Sequence, residues 1–399
     1  MAVYSMNILM VLQSDYPPDV RLLKEIKSLT NNGYTVYLLC NNNNKSPKTE
    51  RIDNANVIRI NKLFFIPQKM RLLFNIPLFF NPVWIYGIVR TCIKYKINYI
   101  HVHDLPLAPA AILAGKLLNK PVIYDMHENY PAAMEIWYKK NLYYFLFKNP
   151  VFAKRLDSFC MRHADKLIAI IDERKKDLET IFKTDKIHIV SNTIDLERFW
   201  SFKIDRDIVE AHSKEYTILY IGFFSSERGL DTVLEGMPIL IDRIPDIKLL
   251  LVGKGKDTPH LKSLVKKISE QHIEIVDWVP FDKVPSYIKS ASVCVDPRPS
   301  NKANDSTISH KIFQYMAMEK PIVTSDSVPF SRIITECRCG EIFKSNSSVD
   351  FADSVMKIYQ SGIRYGENGK KAVQEKYNWQ KTTKELLKVY STLKKGSWL

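Results

Sequence analysis

Along most of the chain, short and nearly unbroken apolar runs alternate with longer stretches in which apolar residues recur every three or four positions. "NILMVL" is followed by the helical pattern "DVRLLKEIKSLTNNG" and then by "YTVYLLC". Further on come "YIHVHD", "LAPAAILAGKLLN", "PVIYDMH" and "KLIAI". Apolar runs of this length, separated by helices, predict parallel strands covered by helices on both faces. The rhythm restarts after "SNTIDLERFW" with "YTILYIG", the helix "LDTVLEGMPILI", "IKLLLVG", "IEIVDWV" and "SVCVDP". The pattern therefore predicts an α/β protein of two Rossmann-like, doubly wound domains, 1–195 and 196–382, joined through a charge-rich stretch near 196–214. Ligands in such sheets bind beyond the carboxyl ends of the strands, so the active site is expected in the cleft where two such domains face each other.

The segment "RLLFNIPLFFNPVWIYGIVR" (71–90) breaks the rhythm, with eighteen uncharged residues between Arg71 and Arg90. That is near the length of a membrane span, but a spanning helix would divide the first domain, and Asn and Pro interrupt the run. The segment is expected to lie in the lipid interface, with Phe79, Phe80 and Trp84 toward the acyl region and basic residues toward head groups. A hydrophobic helix pair packed in the core is the alternative. The net charge of +15 suits nucleic acid, an anionic membrane surface or phosphorylated substrates. Zinc-finger, helix-turn-helix and RNP signatures are all missing, so no nucleic-acid partner is expected. Six scattered cysteines read as reduced thiols, and the N-terminal run reads as a strand and not a signal peptide. The expected location is cytoplasmic, peripheral on the inner face of the cell membrane.

The stretch "STISHKIFQYMAMEKPIVTSD" (306–326) places hydroxyls, a His and a Lys just before an apolar helix. A helix start carries unpaired N–H groups and partial positive charge, which suit a phosphate or a sugar hydroxyl as well as an ordinary cap. The order of motifs across nearly the whole chain resembles family 4 of the retaining glycosyltransferases, the GT-B fold, in a bacterial surface-polysaccharide form. "SNTIDLERF" resembles the interdomain signature of that family, "YIGFFSSERGLDTVLEG" its diphosphate-binding segment and "HKIFQYMAMEKPIV" its donor-site helix. "HVHD" and "PVIYDMHENYP" resemble its acceptor-side loops, and "YNWQKTTKELLKVYSTL" the closing helices that bring about 383–399 back to the first domain.

The resemblance implies a nucleotide-sugar-dependent hexosyltransferase. Arg228 and Lys311 would hold the donor diphosphate, with Gly222, Gly253, Lys254, Ser309, His310 and Gln314 as further donor contacts. Charge neutralisation by these cations, with no paired-Asp motif at a strand end, predicts chemistry without metal or other cofactor. His127 follows a strand end and would contact the transferred sugar or the acceptor, with His103, Asp104 and Glu128 orienting the acceptor hydroxyl. Of His101 and His103, only one is expected to face the cleft, and His103 is the better placed. The implied substrates are a UDP- or GDP-linked sugar and a glycan acceptor, lipid-linked if the protein rests on a membrane. Ser306 and Gln314 depart from the family pattern, standing where glutamates are usual, as does Phe223, where an arginine is usual. Glu319 replaces the usual helix-ending glycine. Two alternatives remain open: a degenerate GT-B subunit that binds a partner or lipid without turnover, and a UDP-sugar 2-epimerase.

Overall fold

The computed structural model describes residues 6–17, 19–60, 81–137, 149–182 and 186–393. The chain divides into two compact units, Met1–Ser191 with Thr382–Leu399, and Asn192–Lys381. In the first unit, the described strands are β1 (Asn7–Val11), β2 (Thr35–Asn41), β3 (Thr49–Ile52), β4 (Ala55–Ile60), β5 (Tyr99–His103), β6 (Val122–Met126), β7 (Lys166–Ala169) and β8 (Ile187–Ile189). They form one sheet in the order β3-β4-β2-β1-β5-β6-β7-β8. Every pairing is parallel except β3 with β4. Every residue of β5 and β6 is buried, as expected of central strands covered on both faces. The strands up to β4 lie on one side of β1 and those from β5 onward on the other, so the order reverses between these two neighbours.

Local chemistry starts the helices on the faces of this sheet. Asp19 caps Val20–Asn31 by accepting hydrogen bonds from the backbone N–H groups of Arg21 and Leu22. Asn-Pro pairs open Pro82–Lys94 and Pro150–His163: Asn81 and Asn149 cap the first turn, and the proline needs no N–H there. The hairpin joining β3 to β4 was not anticipated. Its two-residue turn, Asp53-Asn54, takes positive φ at both positions (50° and 69°), as a tight hairpin requires.

In the second unit, β9 (Tyr216–Ile221), β10 (Ile247–Val252), β11 (Ile273–Val276), β12 (Val293–Asp296), β13 (Ile322–Ser325) and β14 (Gly340–Phe343) form a wholly parallel sheet. Its order is β11-β10-β9-β12-β13-β14, with the reversal between β9 and β12. Both units are thus doubly wound, as the alternating pattern predicts. The helix Trp379–Ser391 starts in the second unit, where the Trp379 N–H donates to the Ile194 carbonyl at 2.7 Å. From Thr382 onward it belongs to the first unit, where Thr383 and Ser28 hydroxyls meet at 3.1 Å.

The expectation for 71–90 is corrected in its second half. Residues 82–90 begin the helix Pro82–Lys94, and Trp84 (5% exposed), Ile88 and Cys92 pack into the core of the first unit instead of facing lipid. The cause is helical spacing: positions four apart share a face, and that face covers the sheet. Phe79 and Phe80 lie outside the described residues. Among the described residues, no helix is long and apolar enough to cross a membrane.

Candidate active site

In the second unit the predicted donor-side residues gather at the reversal between β9 and β12. Asp296, the last residue of β12, is fully buried, and Lys311 Nζ lies 3.6 Å from its Oδ2. The ammonium sits 4.0 Å from the centroid of the Tyr220 ring, near the end of β9. A Cβ added to Gly222 would come 3.3 Å from Nζ, so the glycine leaves the lysine its space. Burial drives the Lys311 pKa down to about 7; Asp296 opposes this, and the charges of Arg228 and Arg298 reinforce it. Burial would raise the Asp296 carboxyl, but Lys311, Arg298 and Arg228 together hold it below its ordinary value.

Glycines make the close approaches possible. Gly253 follows β10 with φ +144°, and a Cβ there would fall 1.9 Å from the Gly222 carbonyl oxygen. Arg228 ends the short 3-10 turn Ser226–Arg228, followed by Gly229 at φ +70°. A Cβ on Gly229 would lie 2.3 Å from the Pro297 carbonyl oxygen, so only glycine lets this turn press on the chain after β12. Arg298, in that same stretch, was missed in the sequence; its only signal is its place just beyond a strand end, in "DPRPSN". It is buried, with its guanidinium 5.8 Å from the Phe330 ring centroid.

The other donor-side positions divide. Ser309 is buried, and its hydroxyl accepts from the Lys311 N–H at 3.4 Å. Gln314 is buried on the same helix, Lys311–Ala317. His310 is exposed at the N-cap and makes no side-chain cap bond. Lys254 turns elsewhere, toward Asp277 at 3.7 Å, with both side chains exposed. The Ser306 hydroxyl donates within its own turn, to the carbonyls of Lys302 and Ala303, both at 2.9 Å. Phe223 is half exposed. Glu319 takes the left-handed conformation of the usual glycine (φ +60°), and its carboxylate meets Lys370 Nζ at 2.9 Å.

In the first unit two of the residues expected on the acceptor side, His103 and His127, lie in a buried cluster at the ends of β5 and β6, centred on Asp125. Asp125 Oδ2 lies 3.0 Å from His127 Nε2, 3.3 Å from His101 Nε2 and 3.5 Å from His103 Nδ1. His103 Nδ1 is 3.3 Å from His127 Nε2, and Glu25 Oε1 is 4.0 Å from that same nitrogen. The expectation that only one of His101 and His103 faces the site is corrected. Residues two apart on a strand share a face, and the two rings stack with centroids 4.4 Å apart. Asp104, at φ +64°, accepts from the His127 backbone N–H at 3.1 Å and so holds the loop instead of reaching outward. Glu128 is exposed beyond the cluster. Glu25, Arg21 and Asp125 were not singled out in the sequence. The one available signal was an Arg and a Glu four residues apart on the first helix, opening beyond β1.

The charges here are strongly coupled. Burial opposes the ionisation of Asp125, but His127, His101 and His103 hold its carboxyl well below the ordinary range. Burial would also lower His127, yet Asp125 lifts its pKa to about 9. Glu25 is pushed up to about 7 by burial and by the Asp125 charge, against the pull of His101, His127 and Arg21. Among the described residues, Glu25, His103, Asp125 and His127 each bring one ligand-type atom to within 4.8 Å of the others. A metal-bound imidazole normally donates its second nitrogen to a carboxylate or carbonyl, whereas His103 Nε2 and His127 Nδ1 are buried with no hydrogen-bond partner. The arrangement fits shared protons better than a metal ion.

Residues 215–361 match the family described as glycosyl transferases group 1, and residues 20–198 match glycosyltransferase family 4. An uncharacterized glycosyltransferase of Methanocaldococcus jannaschii is 24% identical over 383 residues, covering 90% of each chain. A phosphatidyl-myo-inositol mannosyltransferase of Mycobacterium leprae is 25% identical over 181 residues, 44% of this chain and 46% of that one. The solved sucrose-phosphate synthase of Thermosynechococcus elongatus superposes with a TM-score of 0.76 at 16% identity, over 97% of this chain and 98% of that one.

A stability test follows from Glu25. Its pKa is raised from 4.5 to about 7, so the stability it contributes is complete below pH 4.5 and lost as pH rises through 7. Glu25→Gln removes that loss. Thermal melts should show the variant gaining on the parent between pH 5 and pH 8, by on the order of 2 kcal/mol. A difference that is flat or shrinks over this range would contradict the assignment.

Proposed function

The chain belongs to family 4 of the glycosyltransferases, with the GT-B fold, and from that premise we propose that it moves a hexose from a UDP- or GDP-sugar to a lipid-linked glycan, with retention of configuration and without a metal ion. The observation that carries the donor half is Lys311 Nζ 3.6 Å from the buried Asp296 carboxylate at the β9/β12 reversal, with the charges of Arg228 and Arg298 acting on both. Ligands bind at such reversals, beyond the strand ends. Cations gathered beyond the strand ends suit an anion of more than one charge, such as a diphosphate. A bound diphosphate restores the Lys311 ammonium, because a nearby anion favours the protonated form.

The reaction is a same-face displacement. The bond from the anomeric carbon to the diphosphate oxygen breaks as the acceptor oxygen bonds to that carbon from the same side. The acceptor proton passes to the departing phosphate oxygen, and Arg228 and Lys311 stabilise the growing negative charge. On the acceptor side, His127 is the group for a sugar or acceptor hydroxyl, held by Asp125 and the Asp104-anchored loop. The cationic donor group supports metal-independent chemistry, since it supplies the neutralisation a metal would otherwise supply.

The lipid-linked acceptor and the anionic membrane surface rest on one face of the first unit. The helices Pro82–Lys94, Ala108–Leu118 and Pro150–His163 pack side by side on the sheet. They expose Tyr86, Ile93, Leu117, Val151 and Phe152 among Arg90, Lys116, Lys154 and Arg155. The single carboxylate on these helices, Asp157, is buried and bonded to the Tyr124 hydroxyl at 2.7 Å. Exposed apolar side chains interspersed with cations suit an anionic lipid interface. The mannosyltransferase relative is named for a lipid substrate, in keeping with this reading.

Arg228→Ala and Lys311→Ala should each weaken thermal stabilisation by the cognate UDP- or GDP-sugar and lower transfer. Charged hydrogen bonds worth roughly 1.5–3 kcal/mol correspond to about ten- to a hundredfold. Unchanged donor affinity and rate in both variants would remove the donor site from this position. Excess EDTA should leave transfer within about twofold of the untreated rate; activity lost to chelation and restored by Mg or Mn would show that a metal neutralises the diphosphate instead. In vesicle flotation, binding should rise with anionic lipid, fall with salt, and drop in a Tyr86→Ser/Ile93→Ser/Phe152→Ser variant. A parent protein that stays unbound by anionic vesicles at low salt would point to a water-soluble acceptor.

A further inference from the structure

The returning helix Trp379–Ser391 does more than link the two units. Within the first unit it buries Leu386, Val389 and Tyr390. The Tyr390 ring stands 5.5 Å from that of Tyr34 and 6.0 Å from that of Tyr99, and its hydroxyl lies 2.6 Å from His101 Nδ1. We propose that Tyr390 is a positioning residue for His127: by donating its hydroxyl proton to His101, it fixes the direction of the hydrogen bonds that run through His101 and Asp125 to His127.

The direction follows from what each atom can do. His101 Nε2 faces the Asp125 carboxylate at 3.3 Å, and an ionised carboxylate only accepts, so Nε2 carries the proton. Neutral imidazole then presents a lone pair at Nδ1, which needs a donor, and the phenol supplies it. The reverse assignment would aim a bare Nε2 lone pair at Asp125. Burial above all keeps His101 below its usual pKa and Tyr390 well above its own, so neither group leaves this state near neutral pH. Asp125 Oδ2 is then shared by His101 and His127, which orients the His127 ring with Nε2 inward and Nδ1 on the opposite edge.

The groups that face this chain come from every element around it. His103 and Asp104 belong to β5 and its end, and Glu25, Arg21 and Asp19 to the first helix and its cap. Tyr34 and Tyr99 flank the phenol. In Tyr390→Phe the packing survives but the donor is gone, and His101 Nδ1 becomes free to take a proton. A charged His101 competes with His127 for Asp125, so the hold of Asp125 on His127 weakens.

The test needs no turnover, so it stands apart from the sugar-transfer reading on which the role of His127 rests. In the full-length protein labelled with 15N-histidine, long-range 1H–15N spectra report the tautomer and midpoint of each ring, with His101→Asn and His127→Asn giving the assignments. The parent should show His101 neutral with its proton on Nε2 from pH 6 to 8. Tyr390→Phe should lower the His127 midpoint by about one pH unit and bring His101 into titration. Leu386→Ala, which loosens the same helix without touching the hydroxyl, should lower the melting temperature and leave the His127 midpoint in place. A parent His101 protonated on Nδ1, an unmoved His127 midpoint in Tyr390→Phe, or an equal movement in Leu386→Ala would each overturn the proposal.

Discussion

An aspartate removed from water needs a cation beside it, and this molecule meets that constraint twice. Asp125 near the end of β6 and Asp296 at the end of β12 are both fully buried. Left alone, such a carboxylate would take up a proton, because desolvation penalises the charged form by several kcal/mol. Each is held ionised by neighbours drawn from elsewhere in the chain: three histidines around Asp125, and Lys311 with two arginines around Asp296. The cost falls partly on the partners, and the two sites show it with opposite sign. His127 is held protonated well above its usual range, whereas Lys311 is brought down near neutrality.

That difference is what makes the two sites complementary in chemistry. The first unit holds a buried carboxylate ringed by three histidines, which orients a ring. The second holds a lysine whose charge burial disfavours, and a nearby anion would favour its protonated form. The parallel sheets supply the places, since at a reversal of strand order the neighbouring connections diverge and leave room beyond the strand ends.

The departures from the family pattern read differently once their surroundings are known. Glu319 occupies a left-handed position that glycine takes freely, and its pairing with Lys370 accompanies the strain. Ser306 has its hydroxyl engaged within its own turn and offers less to a sugar than a glutamate would. Arg298, buried in the chain after β12, adds a cation where the usual arginine after β9 has become Phe223. Positive charge is thus present at this strand end by a different route.

Sequence alone determined the architecture, because hydrophobic period is a local property: the alternation of apolar runs and helical stretches marks parallel strands and their covering helices without knowledge of any contact. It also pointed to Lys311, Arg228, His103 and His127, which the structure places near strand ends or helix starts. The β3–β4 hairpin was legible too, in Asp53-Asn54, but short strands beside stronger runs are easily passed over. Tertiary structure decided the rest. Glu25, Asp125, Asp296, Arg298 and Tyr390 matter through partners that the fold brings to them, and the pairing of Tyr390 with His101 spans 289 positions. Trp84 looked like a lipid anchor until the sheet supplied a core for its face of the helix. The common reason is that a charge or an aromatic ring takes its role from its surroundings. Burial and pairing are properties of the assembled fold, which no local spacing encodes.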